Sequence, residues 1–258
     1  MAEDMHGTPG DPRNIFSRLF LILLSHMRQL VTAIQHFFRT EKEVKHARPH
    51  TRAVSWKIDE STNHGVIECR QRVAPVLLEW SIDTTTTYTF GEDSVAIRVQ
   101  GKPRSRNLPQ TLPRLGLTLA LPPDFASATW FGRGPGESYR DKKHAQRFGL
   151  YTSAVSELSI DYEYPQESGN RTDTRWVRFH TDSVDDDETK EESRKALVAQ
   201  FIDKPEGFDF QASHLHAHDV ERATHIYELG PYRVPEVIVR LDAEHHGLGS
   251  ESCGKLVS

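Results

Sequence analysis

Two cysteines in 258 residues, Cys69 and Cys253, are too few for a disulfide framework. That sets aside the disulfide-stapled secreted scaffolds and fits a reducing compartment, so a cytoplasmic location is expected. Basic charge is not in excess either. Lys and Arg number 32 against 37 Asp and Glu, a net charge of −5, which leaves nothing to hold a nucleic-acid backbone. Long apolar runs are missing as well. The run Leu19–Leu24 is six residues long, and Arg18, His26 and Arg28 interrupt the face around it. It is too short to span a bilayer, and no small-residue cleavage site follows it to mark a secretory leader. No internal repeat is present, and no alternation of strand and helix that would build a parallel sheet.

What remains is a globular composition, 36% hydrophobic and 27% charged, long enough for one large domain or two small ones. Residues 1–14 read as a loose tail. Phe16, Phe20, Leu23, Met27, Leu30, Val31, Ile34 and Phe38 then recur at helical spacing, with Asn14 placed to cap the helix they predict. A packing helix is the plain reading of this segment, with a membrane-surface or partner-binding helix as the alternative. "RTEKEVKHARPHTR" follows as a charged connector.

From residue 53 the period changes from helical to extended. "AVSWKID", "GVIECRQRVA", "VLLEWSIDTTTTYTF", "SVAIRVQG", "LGLTLALP" and "EVIVRLDAE" are rich in β-branched and aromatic residues, and "ELSIDYEYP" is a weaker strand candidate. Ile82, Thr84, Thr86, Tyr88 and Phe90 alternate onto one face. Turns are marked by Asn63-His64-Gly65 and Gly91-Glu92-Asp93, and prolines 103, 109, 113, 122 and 123 punctuate the connections. The expected fold class is all-β, a large antiparallel β-sandwich with an atypical N-terminal helix. The acidic run at 181–194 reads as a solvated loop without the glycine that a calcium loop needs.

Two dense segments invite a functional reading. In "WFGRGPGESYRDKKHAQRFGLY" (130–151), Gly132, Gly134 and Gly136 alternate around Pro135, and Glu137 can pair with Arg140 across the turn. The spacing is not that of a dinucleotide fingerprint, which leaves a structural corner or a ligand-facing loop. In "YPQESGNRTDTRWVRF" (164–179), Glu167 can pair with Arg171 or Arg175, and Trp176 adds an aromatic face. A scaffold and a site margin are both open there. His214, His216, His218 and His225 would suit zinc only if they converged, as the first three could on one face of a strand. Cys253 would serve as a nucleophile only with an activating base, for which His245 and His246 are near in sequence alone. A glycosidase needs two carboxylates about 5–9.5 Å apart, and no such pair stands out, so no catalytic residue is assigned.

"LPRLGLTLALP", "WFGRGPGESYRDKKHAQRFGLYTSAV", "YPQESGNRTDTRWVRF" and "RVPEVIVRLDAEHHGLGSESCG" closely resemble, in order, the small chain or C-terminal domain of family 2 β-galactosidases. The resemblance covers about residues 48–254. It implies a galactose-mutarotase-like supersandwich and a division into an atypical segment 1–46 and a sandwich module 47–258. It also implies retaining hydrolysis of terminal β-galactosides such as lactose, carried out by two glutamates on a (β/α)₈ barrel that this chain lacks. The implied partner is the barrel or a large chain, since some relatives split the enzyme into large and small subunits. Magnesium and sodium or potassium would belong mostly to that other part.

By the same resemblance, Gly249, Ser252 and Cys253 in the Gly247–Gly254 loop would touch the sugar, with Cys253 where bacterial relatives place a stacking tryptophan. Gly132, Arg133, Gly134, Pro135, Glu137, Tyr139, Gln166, Glu167, Asn170, Arg171, Arg175 and Trp176 would shape the pocket margin or the sandwich. The segment resembling "FWRAPTDND" that opens the family domain is replaced by the helical stretch, and Lys255 stands where the family has proline. A truncated module, inactive alone, is therefore expected. The alternatives are a stand-alone carbohydrate-binding sandwich and an inactive structural remnant.

Overall fold

The computed structural model describes residues 47–75, 80–104, 112, 114–181 and 195–245. The expected N-terminal helix, most of the acidic run and the loop with Gly249, Ser252 and Cys253 lie outside them. The described chain is mostly antiparallel β-sheet with little helix, as the strand periodicity implied and as a β-sandwich requires. It divides into two compact units, one spanning Gly116–Ala243 and the other covering described residues 47–115 with 244 and 245.

The second unit is built on one four-stranded sheet in the order β1-β2-β3-β4, formed by Arg48–Asp59, His64–Ala74, Ser81–Phe90 and Val95–Arg104. All three pairings are antiparallel. Directly opposed residues share a face, so the register sorts the side chains. Val54, Cys69, Thr86 and Val99 form one row, and Trp56, Ile67, Tyr88 and Ile97 the next. The middle of these rows is buried: Ile67, Cys69, Thr86 and Tyr88 are each at most 4% exposed. Burial raises the Cys69 thiol above its usual pKa, which makes it an inert packing residue. The opposite face is charged, and there Asp83 accepts from Arg72 at 3.1 Å and from Arg104 at 2.8 Å. Asn63 takes a left-handed conformation (φ 54°) in the β1–β2 turn, as asparagine tolerates. Pro103 was expected in a connection. It lies instead within β4, an outer strand of this sheet, where its missing N–H breaks no interior ladder.

The other unit packs two four-stranded sheets around one core. β5 (Arg114–Leu121), β12 (Val237–His245), β11 (Phe208–Ser213) and β8 (Arg171–Thr174) lie side by side in that order. β10 (Ala196–Ala199), β9 (Trp176–His180), β6 (Ser127–Gly134) and β7 (Arg147–Ala154) make the second sheet. Trp130, Val177 and Phe179 from one sheet meet Phe208, Phe210, Val237 and Val239 from the other, all at most 1% exposed. Phe210 lies edge-on to Trp130 at 5.6 Å and to Phe179 at 6.1 Å. Truncating it to alanine would cost about 3–5 kcal/mol by opening a cavity between the sheets.

One weak strand expectation fails, and one condition set for the histidines is not met. "ELSIDYEYP" is not a strand: Val155–Glu157 forms a 3-10 turn and the rest is loop. Leu158 is buried while Ile160 and Tyr164 are exposed, so the segment has no continuous buried face to hold against a sheet. "SHLHAHD" is not a strand either. β11 ends at Ser213, His216 is the N-cap, and a short helix α1 spans Ala217–Arg222. Leu215, Val220, Ala223 and Leu229 form a small separate cluster there, which draws the chain into a turn of helix instead of extending the sheet.

Candidate functional site

The strand β6 delivers its last residues, Gly132, Arg133 and Gly134, to a corner completed by the loop 135–146. At Gly132 a side chain would sit 2.8 Å from the Cα of Thr174, so only glycine lets β6 run this close to β8. Arg133 turns outward from the core and binds the Asp173 carboxylate, and its other arm donates to the Gln146 carbonyl at 3.1 Å. Lys143 reaches both Asp173 oxygens at 3.3 Å. Burial by itself would raise the Asp173 pKa, but Arg133 and Lys143 outweigh it and hold the carboxyl below its usual range.

Glu137 is the centre of the corner. It is 5% exposed. One carboxylate oxygen accepts from Lys142 Nζ at 2.7 Å and from the Tyr162 hydroxyl, and the other accepts the Gly169 N–H at 2.9 Å. Its expected partner, Arg140, is therefore replaced by Lys142. Lys142 is brought into reach because Tyr139 and Lys142 exchange backbone hydrogen bonds at 3.1 and 3.0 Å in a tight bridge. Burial pushes the Glu137 pKa up, and the three hydrogen bonds together bring it below the usual value. Such a carboxylate stays ionised with both oxygens engaged. A general acid needs the reverse, a raised pKa and a free oxygen facing substrate.

Beneath Glu137 lies a network of backbone carbonyls and buried polar side chains. Arg171, 3% exposed, donates from Nε to the Pro135 carbonyl at 3.1 Å. From Nη1 it donates to the carbonyls of Gly169 at 2.8 Å and Leu158 at 3.3 Å. Its guanidinium also lies 5.3 Å from the Trp130 ring. Burial pulls the Arg171 pKa down to about 10, which still leaves a cation at neutral pH. Asn170 is fully buried and donates to the Ser138 carbonyl at 2.8 Å, while the Ser138 hydroxyl accepts the Thr172 N–H at 2.9 Å. Tyr139 is 1% exposed in the same corner.

The other anticipated residues spread outward from this network. Arg175 lies over the Phe148 ring at 5.2 Å and donates to the carbonyls of Asp173 and Glu206. Trp176 is half-buried on β9 opposite Phe131. Gln166 is exposed. Glu167 pairs with neither Arg171 nor Arg175. Its partner is Arg240 on β12, at 3.3 Å, which also donates to Gln211 at 2.9 Å. Arg171 is engaged by carbonyls and Arg175 by carbonyls and a ring, and both therefore turn away from Glu167.

Lys142, Lys143, Ser138, Tyr162, Asp173 and Arg240 were not singled out from the sequence. Tyr162 lay in the segment read as a weak strand, and the left-handed Asp173 (φ 57°) has no sequence mark beyond the tolerance of aspartate for that conformation. Among the histidines, the His216 and His218 rings stack at 5.5 Å, and His218 lies 3.1 Å from Asp219. Among the described residues, no group of three or more His, Cys, Asp or Glu side chains could hold a metal ion. No described helix is long and apolar enough to cross a membrane.

A sequence model of the family described as "beta galactosidase small chain" matches residues 31–258. The chain belongs to that family, the small-chain module of the family 2 β-galactosidases. Among its relatives, the β-galactosidase of Kluyveromyces lactis is 34% identical over 192 residues, covering 74% of this chain and 17% of the yeast protein. The β-galactosidase of Arthrobacter sp. (strain B7) is 30% identical over 191 residues, with 73% and 17% covered. That of Vibrio cholerae is 36% identical over 162 residues, with 63% and 14% covered. The chain thus spans about a sixth of the length of the curated relatives it matches.

Proposed function

We propose that this chain is the small-chain module of a retaining β-galactosidase acting on terminal β-galactosides such as lactose, and that it closes one side of a sugar pocket whose catalytic glutamates lie on the catalytic barrel or large chain. The fold class proposed with it is the galactose-mutarotase-like supersandwich, with 1–46 as a separate segment and 47–258 as the module. Gly249, Ser252 and Cys253 are the proposed sugar contacts. The corner around Glu137 is proposed to hold the margin in shape without touching the reacting atoms.

The observation that carries this reading is the fate of the acids within the two dense segments, 130–151 and 164–179. Glu137 is buried, ionised and bonded through both oxygens, and Glu167 is bound to Arg240. Neither is presented as a proton donor or nucleophile. Magnesium and sodium or potassium are proposed to belong mostly to the other part of the enzyme. A cytoplasmic location is part of the same proposal and rests on cysteine usage alone.

The test is β-galactosidase activity of the purified chain, alone and after mixing with the large subunit of a two-subunit β-galactosidase. Activity is expected only in the mixture. Turnover by the chain alone that vanishes when one of its own acids is neutralised would overturn the reading. In the assembled enzyme, Glu137→Gln and Glu167→Gln should keep turnover within a few-fold, whereas losing a catalytic carboxylate typically costs about 10²-fold or more.

A further inference from the structure

Half of each apolar row on the β1–β4 sheet is out of water and half is not. On β1, Val54, Trp56 and Ile58 are 40%, 66% and 51% exposed. On β4, Val95, Ile97 and Val99 are 49%, 40% and 45% exposed. The register places all six on the same face as the buried Ile67, Cys69 and Tyr88. Two apolar stripes therefore flank a buried centre, about 14 Å apart at the usual strand spacing. The reverse face, with Lys57, Arg70, Arg98 and Lys102, carries charge and suits water. Exposed apolar stripes of this kind mark contact surfaces, and an exposed tryptophan is the type of side chain that anchors one.

We infer that the Val54–Trp56–Ile58 and Val95–Ile97–Val99 stripes are the docking surface for the large chain of a β-galactosidase, an inference that rests on the function proposed above. The length of the relatives argues for that occupant. They carry this stretch within proteins about six times as long, so most of each relative lies outside the matching part yet in the same molecule. A module that always meets such a neighbour can leave these stripes apolar. A second copy of this chain is the competing occupant, and the same experiment reports on it.

The chain is titrated with the large subunit of a two-subunit β-galactosidase, following complex mass by light scattering and affinity by calorimetry. Trp56→Arg and, separately, Ile97→Glu are expected to weaken binding at least about thirtyfold. Lys57→Glu and Arg98→Glu, their sequence neighbours on the charged face, should bind within a few-fold of the unmodified chain. Hydroxyl-radical footprinting of the unmodified chain should show Trp56 oxidation falling several-fold in the complex, a result independent of whether any variant folds. Unchanged Trp56 oxidation in an otherwise active complex would overturn the inference and leave the functional reading intact. Absence of both binding and activity would remove that reading, and this inference with it. A dimer of the chain alone that Trp56→Arg dissociates would assign the surface to a second copy and overturn the inference.

Discussion

The Glu137 carboxylate accepts the backbone N–H of Gly169 at 2.9 Å across 32 residues of sequence. Through its other oxygen the same group holds Lys142 and Tyr162. One side chain thereby fastens three pieces of irregular backbone: the corner after β6, the loop before residue 165, and the turn leading into β8. Loops of this kind lack a ladder of their own, and a buried acceptor with several donors takes its place.

Replacing that acceptor should loosen the whole corner. Glu137→Gln keeps the shape but gives up the charge, leaving Lys142 and Tyr162 with a poorer acceptor. A loss of about 1–3 kcal/mol is expected, read as a lower urea midpoint with an unchanged slope.

The same residue sets a pH dependence. Its native pKa lies below the ordinary 4.5, so the unfolded chain binds the proton more readily than the folded one. The stabilisation is complete above 4.5 and fades as pH drops through the lower native value. Asp173, held below its ordinary 3.8, adds to the same acid limb. Urea midpoints measured from pH 6 downward should fall for the unmodified protein, and less steeply for Glu137→Gln. Equal slopes would mean that Glu137 does not titrate as its surroundings require.

Arg171→Lys should be more damaging than its conservative label suggests. The guanidinium reaches the carbonyls of Pro135, Leu158 and Gly169 in one plane, and a lysine amine cannot span them. Some of those buried carbonyls would lose their donor, at about 1–3 kcal/mol each. A melting temperature lowered by several degrees, without loss of secondary structure by circular dichroism, is the expected result.

Gly169 and Gly230 offer a matched contrast. Gly169 has φ +79°, and an added Cβ would sit 2.7 Å from the Leu158 carbonyl oxygen, whereas Gly230 has nothing within 4 Å. Gly169→Ala should therefore cost about 1–3 kcal/mol, and Gly230→Ala should stay within about 0.5 kcal/mol of the unmodified chain. Denaturation curves of the two variants side by side decide it.

β1 to β5 and β12 were legible from runs rich in β-branched and aromatic residues, and in β2 and part of β3 the more buried positions also alternate, so the period is written into the sequence there. β8, β9 and β10 carry arginines or only four or five residues, too few to show a period. The importance of Glu137, Asn170 and Arg171 could be suspected from residue type, but their partners could not. Lys142 reaches Glu137 through a backbone bridge, and Arg240 reaches Glu167 from 73 residues away, and neither distance has a local trace.

The proposed sugar contact leads to a separate expectation. A thiol at position 253 lacks the broad face that an indole lays against a sugar ring. In an assembled enzyme, Cys253→Trp should lower the concentration of galactose needed for half-inhibition. An unchanged inhibition constant would count against Cys253 as a sugar contact.

Thr84 to Thr87 are four side chains of one shape in a row, so within that run nothing distinguishes the correct alignment of β3 from one displaced along its neighbours. The anchors stand at its two ends: Asp83, gripped by Arg72 and Arg104, and Tyr88, sunk in the apolar row. A shift by one residue would lift Tyr88 into water and turn Asp83 toward the oily side. The threonine ribbon is thus a featureless rail locked by a bolt at each end, and a strand this uniform can keep its place only while both bolts hold.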